Sequence, residues 1–519
     1  MRAFALVLAL TASLLASRAR LLPYPAPGKV NSSTLYVLED SVLNDAEQLA
    51  VSTIQGVTSR TQGLVYRNST GGTALWIDEL QRTWGVVPHP VGSLAELLTL
   101  TAHALSGYVI TNTSDGDAVL ASVTACSLLG AVALDATLVP QAKAAGLPEV
   151  YDARGNTTAD VIRLLNGTGG RALSTSVAVL QDPTKLCCMW DYAVFAGAAT
   201  WFDGTMAGAT STRILDSMQP SWALLGWGTS EQATVSATST RAGWVNAADW
   251  ARNLGLLSTF RVEGDIVQPN APPPAPAPPA RRHTVSFLMT DGDNVQWLLN
   301  NFATGTEWWS NPNRGSIPMG WTISAALPDL APAVSTRLYR QATRRAGPGS
   351  ACDVFVAGPS GAGYAYPDLM GPTELADFAA STTEAARRSG LRLLNVMGDR
   401  YDTASAAAMA GTGTDGIFWY NYSPYDGLHG NITFVGDVPV IGARAMLWVG
   451  RDTPETLAAK LRAASTDPSS PDAYSLVVVH AWSSNVTQVA QTIELLKGDA
   501  VDAVCPDELV ARVTANIAR

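Results

Sequence analysis

The sequence predicts an α/β protein: a C-terminal (β/α)8 TIM-type barrel preceded by one or two small α/β domains. Three observations carry this expectation. From position 283 onward, short apolar runs alternate with helical patterns, as a parallel sheet covered on both faces requires. Several helical stretches open with proline at the first position, where its missing N–H costs nothing. Ahead of them, the proline- and alanine-rich segment 269–282 fits neither a helix nor a sheet interior, and so marks a boundary.

The elements come in this order. Residues 1–19 carry an early Arg2, an apolar run and small residues at Ser17 and Ala19, the pattern of a cleaved signal peptide. Residues 20–115 read as an N-terminal α/β domain, with strands at 34–38, 64–66 and 108–111 and a helix at 44–59. Residues 116–268 read as a second α/β region, with a helix at 118–129 and strands at 131–134 and 222–228. After the linker, 283–519 form the barrel domain. Its strands are expected at 285–289, 320–324, 354–356, 391–397, 416–420, 438–448, 475–479 and 500–504. Helices are expected at 294–302, 328–345, 372–389, 454–464, 486–497 and 506–517. A doubly wound open sheet and a seven-stranded, deacetylase-like barrel are the alternative readings.

Composition narrows the function. The chain has 34 Lys and Arg against 44 Asp and Glu, a net charge of −10, and no basic cluster. That argues against nucleic acid and against an anionic membrane as partner. After the N-terminal run, no stretch is apolar for long enough to span a bilayer. Sequons at Asn31, Asn68, Asn112, Asn156, Asn166, Asn421, Asn431 and Asn485 fit a secreted or lumenal glycoprotein. The five cysteines match no zinc spacing, and in an oxidising compartment at least one stays unpaired. Adjacent Cys187 and Cys188 are not expected to pair with each other. No serine-hydrolase elbow, Walker loop or dinucleotide fingerprint follows a strand, so no cofactor is implied.

The most specific segment is Gly358-Pro359-Ser360-Gly361-Ala362-Gly363-Tyr364-Ala365-Tyr366-Pro367, directly after an apolar strand. Its glycines allow a sharp bend or a close backbone approach, and Tyr364 and Tyr366 bring two rings and two hydroxyls to a strand end. The bland alternative is a glycine-rich turn whose tyrosines pack on a core. The pattern at Gly361, Gly363, Tyr364, Tyr366 and Pro367 resembles the GxGYxYP family of putative glycoside hydrolases, which is named for it. Met289 to Trp297, Gly320 to Ser324, Gly226-Trp227-Gly228 and Asn246 to Asn253 extend the resemblance over most of the chain. It implies the barrel with an N-terminal region before it, and a carbohydrate substrate.

Candidate chemistry lies at the expected C-terminal strand ends, where such barrels build their sites. Asp291 and Asp293 leave the first strand two positions apart, about 6–7 Å between Cα atoms if the chain stays extended. Such a pair suits glycoside hydrolysis, in which one carboxyl protonates the leaving oxygen and the other attacks or activates water. The competing reading is a turn in which Asp293 or Asn294 caps the next helix. Val295 occupies a ligand position, so the segment is no calcium loop. Asp399 is the third catalytic candidate, with Arg400 as a substrate clamp. Trp297, Tyr364, Tyr366, Tyr420, Asp426, His480 and Trp482, with Asn294, are expected to line sugar subsites. The reading is thus a secreted glycoside hydrolase working through paired carboxylates. A non-catalytic carbohydrate-binding or cell-surface protein, or a deacetylase-like metal enzyme, is the alternative; the missing His-x-x-x-His pair weighs against the last.

Overall fold

The computed structural model of the protein describes residues 22–25, 33–69, 71–168, 171–262, 264, 266–270 and 281–518. The signal-like start, the Asn31 sequon and most of the proline-rich linker lie outside them. Three small parallel sheets come first. In the first, Thr34–Glu39 lies between Val65–Asn68 and Val87–Pro90. In the second, Tyr108–Thr111 lies between Val132–Asp135 and Glu149–Asp152. The third runs Gly243–Asn246, Trp222–Gly226, Val177–Leu180, Thr200–Trp201 in spatial order.

The expected division at 115 therefore falls inside the second sheet. Asp115 is the N-cap of the crossover helix Gly116–Leu129, accepting from the amides of Asp117 and Ala118. Strand 108–111 belongs to the second unit because both its hydrogen-bond partners lie there, and pairing across a helix leaves no local mark in four apolar residues.

The C-terminal half closes a barrel of seven parallel strands: His283–Met289, Pro318–Ile323, Cys352–Ala357, Leu393–Gly398, Gly416–Asn421, Val438–Leu447 and Tyr474–Val479. Closure comes from the pairing of Leu288 and Met289 with Gly320 and Trp321. The eighth expected strand does not join the closed ring. Val501–Ala503 pairs only with His283 to Val285, along the lower part of the first strand. Its central Asp502 is ion-paired with Arg282 and Arg512 (2.5 and 2.9 Å). A three-residue strand with a charged centre cannot occupy a full-height barrel position.

Two further elements were not expected: helix Thr403–Ala410, and strand Ile432–Val435, which folds back antiparallel on Val438 to Ile441. Pro372, Pro454 and Pro506 each open a barrel helix, as anticipated, whereas the single helix expected at 328–345 is broken into Leu327–Leu330 and Pro332–Gln341. No described helix is long and apolar enough to cross a membrane.

Cys187 and Cys188 are disulfide-bonded to each other, against expectation. Their Cα atoms stand 3.7 Å apart, closer than in an ordinary bridge, because the two residues are chain neighbours. Cys352 is bonded to Cys505, tying the third barrel strand to the last helix, and Cys126 is a buried free thiol.

The N-terminal units and the barrel share one continuous apolar core, which includes Leu35, Trp76, Trp190, Trp297 and Trp321. Polar contacts reinforce the joint. The Trp76 indole donates to the Leu299 carbonyl (2.7 Å), and fully buried Glu79 accepts from both terminal nitrogens of Arg340 (each 2.6 Å). Burial works to raise the Glu79 pKa, but bonds from Arg340 and Thr83 and the charges of Arg340 and Arg337 hold it below the ordinary 4.5. A depressed carboxylate contributes stability in full above its unfolded-state pKa, and loses it as pH falls through the folded-state value. Glu79→Gln should therefore lower the urea midpoint at pH 7 by the equivalent of about 1–3 kcal/mol, with the deficit shrinking below pH 4.5. Parallel urea titrations of both proteins at several pH values check this.

Candidate active site

The C-terminal ends of the barrel strands open on a cavity of about 220 Å³. Its wall comes from both halves of the chain: Thr290, Asp291, Asp293, Asn294, Pro359, Tyr364, Asn395, Met397, Tyr420, Tyr425 and Trp482 from the barrel, Trp227 and Glu231 from the third N-terminal unit.

The first strand ends at Met289, so the two aspartates do not share an extended strand face as expected. Asp291 takes a left-handed φ of 66°, which aspartate tolerates better than most side chains. Gly292 then lies on the end of the second strand: its amide donates to Thr322 Oγ1 (3.0 Å), and a Cβ there would stand 1.7 Å from the Thr322 carbonyl oxygen. Only glycine allows that approach, and the turn it completes returns Asp293 to the cavity. Asn294 occupies the N-cap position of the next helix but makes no capping bond; its side chain favours the charged form of Asp293, against burial.

Asp291 accepts from the Trp482 indole (Oδ1, 3.0 Å) and from the Thr290 hydroxyl. Glu231 Oε1 accepts from the Tyr364 hydroxyl (2.7 Å). Asp293 is 4% exposed and has no cationic partner among the described residues. Burial is the main cause of raised pKa values at all three. Asp291 rises to about 6, with the Glu231 charge adding to burial and the Thr290 and Trp482 bonds opposing it. Asp293 is pushed well above the ordinary range by burial and then by the charges of Asp291 and Glu231. Glu231 is raised by burial, against the pull of Tyr364. Three carboxyls thus crowd one small space, and Asp293 holds its proton most tightly.

Aromatic rings complete the wall. Trp227 stacks on Tyr364 (6.3 Å between centroids), and Tyr420 stacks on Tyr425 (5.6 Å). Tyr420 is wholly buried, and its hydroxyl has no hydrogen-bond partner among the described residues. A polar group left so at a cavity wall is suited to a ligand.

Of the expected site residues, Asp291, Asp293, Asn294, Tyr364, Tyr420 and Trp482 reach this cavity. Tyr366 is fully buried behind it, edge-on to Tyr364. Trp297 packs edge-on against Trp482 (5.1 Å) and borders a neighbouring groove instead. Asp399 and Arg400 are exposed and outside the lining, with Asp399 accepting from Gln232 (3.1 Å). Asp426, partly buried, is also outside it. His480 stacks on Trp448 (3.5 Å between centroids, 3° between planes) and bonds Ser483, and burial lowers its pKa to about 4, leaving a neutral ring at pH 7. With no histidine in the lining, the cavity does not present the ligand set of a metal-dependent deacetylase, and no group of three or more His, Cys, Asp or Glu among the described residues could hold a metal.

Sequence reasoning missed Glu231, Trp227 and Asn395. Glu231 opens the helix Glu231–Ser239 behind its Ser230 cap, where an acidic residue is ordinary and draws no notice. It reaches the cavity because the third unit is clamped to the glycine-rich loop. Val245 and Tyr364 exchange both backbone hydrogen bonds (2.8 Å each), and the Tyr366 amide donates to Ser239 Oγ (2.9 Å). A Cβ on Gly363 would stand 2.2 Å from the Trp244 ring, so the residue before Tyr364 has to be glycine.

Comparison with known families matches this arrangement along nearly the whole chain. Residues 34–101 match the GxGYxYP_N 1st domain, 105–167 the GxGYxYP_N second domain and 175–259 the GxGYxYP third domain. Residues 281–514 match the GxGYxYP putative glycoside hydrolase C-terminal domain. The chain belongs to the GxGYxYP family. Its tyrosine motif is thus the segment that joins the third family domain to the barrel. A crystal structure described as a putative hydrolase from Bacteroides thetaiotaomicron is similar over 95% of this chain and 98% of its own, with 26% identity and a TM-score of 0.83. No curated protein matches.

The raised carboxyls carry a stability signature. Where the folded-state pKa lies above the unfolded one, stability is full below the unfolded value and falls as pH rises through the folded value. For Asp291 that window runs from 3.8 to about 6. Asp291→Asn should therefore melt at a higher temperature than the wild type at pH 7, with the advantage fading as pH drops towards 4. Thermal melts across that range test it.

Proposed function

We propose that the protein is a secreted glycoside hydrolase whose reaction takes place in the cavity at the barrel mouth. The observation that carries this reading is the convergence of Asp291, Asp293 and Glu231 on one aromatic-walled space with their protons held to different degrees. Glycoside hydrolysis needs a proton donor and an anionic carboxylate beside one anomeric carbon, and environments that push carboxyl pKa values apart assign those roles.

Asp293, whose protonated form burial and the charges of Asp291 and Glu231 favour, gives its proton to the glycosidic oxygen as the bond from that oxygen to the anomeric carbon breaks. Asp291, mostly ionised above about pH 6 and steadied by Trp482 and Thr290, stabilises the positive charge that develops at that carbon; a water oxygen then forms the new bond to the carbon, and its proton passes to the Asp293 carboxylate, restoring the acid. Glu231 adds negative charge that keeps Asp293 protonated, and Tyr364 holds it in place. Tyr420 offers its unused hydroxyl to a sugar oxygen. Secretion is inferred from the apolar N-terminal run and the sequons. The family description and the name of the structural relative support a hydrolase.

The test is a screen of aryl glycosides and oligosaccharides for cleavage, then kinetics on variants. Asp293→Asn should lower kcat by about 10²–10⁴-fold while calorimetry finds substrate still bound. If glycans bind, none is cleaved and Asp293→Asn binds them as the wild type does, the protein is a carbohydrate-binding module.

A further inference from the structure

Beside the catalytic cavity runs a larger groove of about 820 Å³, between the first N-terminal unit and the barrel. Trp482 borders both, so the two spaces adjoin across one indole. The groove has two broad, exposed rings, Trp482 (50% exposed) and Trp250 (47%), in a chain whose other large tryptophans are mostly buried. Exposed indoles flanked by amides are recognition surfaces, since they bring large contact area at little entropic cost.

Trp250 is held in place by the barrel. Its amide donates to Gln296 Oε1 (2.7 Å), its carbonyl accepts from Asn300 Nδ2 (3.1 Å), and Lys185 lies over its ring (4.7 Å to the centroid). Gln296, Asn300 and Asn68 also line the groove. The Trp297 indole, 4% exposed and at the groove wall, has an N–H without a partner among the described residues. The site is therefore built before any ligand arrives, and it contains unspent hydrogen-bonding capacity.

Size and charge select the ligand. The cavity holds the liquid volume of roughly seven waters, space for one sugar ring and no chain. Further units of a glycan must lie outside it, and the groove is of ordinary ligand-site size. None of the cavity-lining residues is basic, and Arg252 in the groove is already ion-paired with Asp40 (3.1 Å). Sulfated or uronic sugars would meet three carboxyls with no counter-charge.

We infer that the groove binds the continuation of a neutral oligosaccharide whose terminal ring occupies the cavity, so that the first N-terminal unit, Trp250 and Trp482 set a preference for chain length. This rests on the hydrolase reading for the identity of the cavity ligand. It also requires Asn68 to be unmodified: Asn68-Ser69-Thr70 is a sequon, Asn68 Nδ2 is held by Glu39 (2.9 and 3.0 Å), and an attached glycan would fill the groove.

The experiment uses the full chain with gluco-, manno-, xylo- and chito-oligosaccharides from disaccharide to hexasaccharide, together with aryl monoglycosides. Cleavage and calorimetric binding are followed in the wild type and in Trp250→Ala. The expected result is an affinity and a kcat/KM that rise with chain length, and a loss in Trp250→Ala about tenfold greater for the longest ligand than for the shortest. Aryl glycosides cleaved with no length dependence, and equal losses on short and long ligands, overturn the groove and leave the hydrolase. Length-dependent binding that Trp250→Ala abolishes, with no cleavage of anything, upholds the groove and overturns the hydrolase. Absence of both binding and cleavage, or a glycan found on Asn68 by peptide mass spectrometry, overturns the groove.

Discussion

The organising contact of this molecule is the two-bond bridge between Val245 and Tyr364. It pairs a strand of the third N-terminal unit with the loop that leaves the third barrel strand. The barrel alone provides two aspartates at its mouth; the bridge brings Trp227 and Glu231 over them. The motif residues divide this work. Gly363 lets the loop lie flat on Trp244, the Tyr364 backbone forms the bridge, and the Tyr364 hydroxyl fixes Glu231. Tyr366 supports Tyr364 from behind and is tied to Ser239 through its amide. The motif is a joint between domains first, and a wall of the site as a consequence.

That joint makes the electrostatics possible. An aspartate at an open barrel mouth would be solvated and would titrate as usual. Covered by the third unit, Asp291 and Asp293 lose water and gain the neighbouring charge of Glu231, and both effects favour the protonated form. The arrangement works against folding at neutral pH, as functional sites commonly do. The offset is the shared core, continuous from Leu35 in the first sheet to Trp321 in the barrel, so that domain closure is a feature of the folded ground state. Glu79 and Arg340 show the opposite economy: there a carboxylate at the domain boundary is matched with its cation, and its pKa falls.

Aromatic packing extends this logic across the barrel mouth. Tyr420 stacks on Tyr425 and Trp448 on His480, with Tyr425 edge-on to Trp448 between the two pairs, while Trp297, Trp308 and Trp482 form an edge-to-face cluster. His480 is spent in its stack on Trp448 as a neutral ring. Trp482 stands at the edge of the cluster, where one indole bonds Asp291 and borders both cavity and groove. Rings that looked equivalent by their strand-end positions thus serve as support or as surface, according to which face of the stack is left uncovered.

The sequence by itself determined a great deal here. Apolar runs bounded by proline and glycine placed the seven barrel strands to within a few residues, because a parallel strand buried on both faces has no polar alternation to obscure it. The motif at 361–367 and the paired carboxyls at 291 and 293 were legible because each needs particular residues at particular spacings, although a turn through Gly292 stands where an extended strand face was expected. What sequence could not show was anything depending on pairing between distant segments. Strand 501–503 is apolar enough to pass as an eighth stave, yet Asp502 draws it to Arg282 and Arg512. Strand 108–111 belongs with partners across a helix, and Cys352 is bonded to Cys505, 153 positions away. Glu231 is the sharpest case. Its local context is that of any helix start, and it became part of the site through the backbone bridge made by residues 245 and 364. Local chemistry is written in neighbouring residues; a constellation assembled from two domains exists only once the chain has folded.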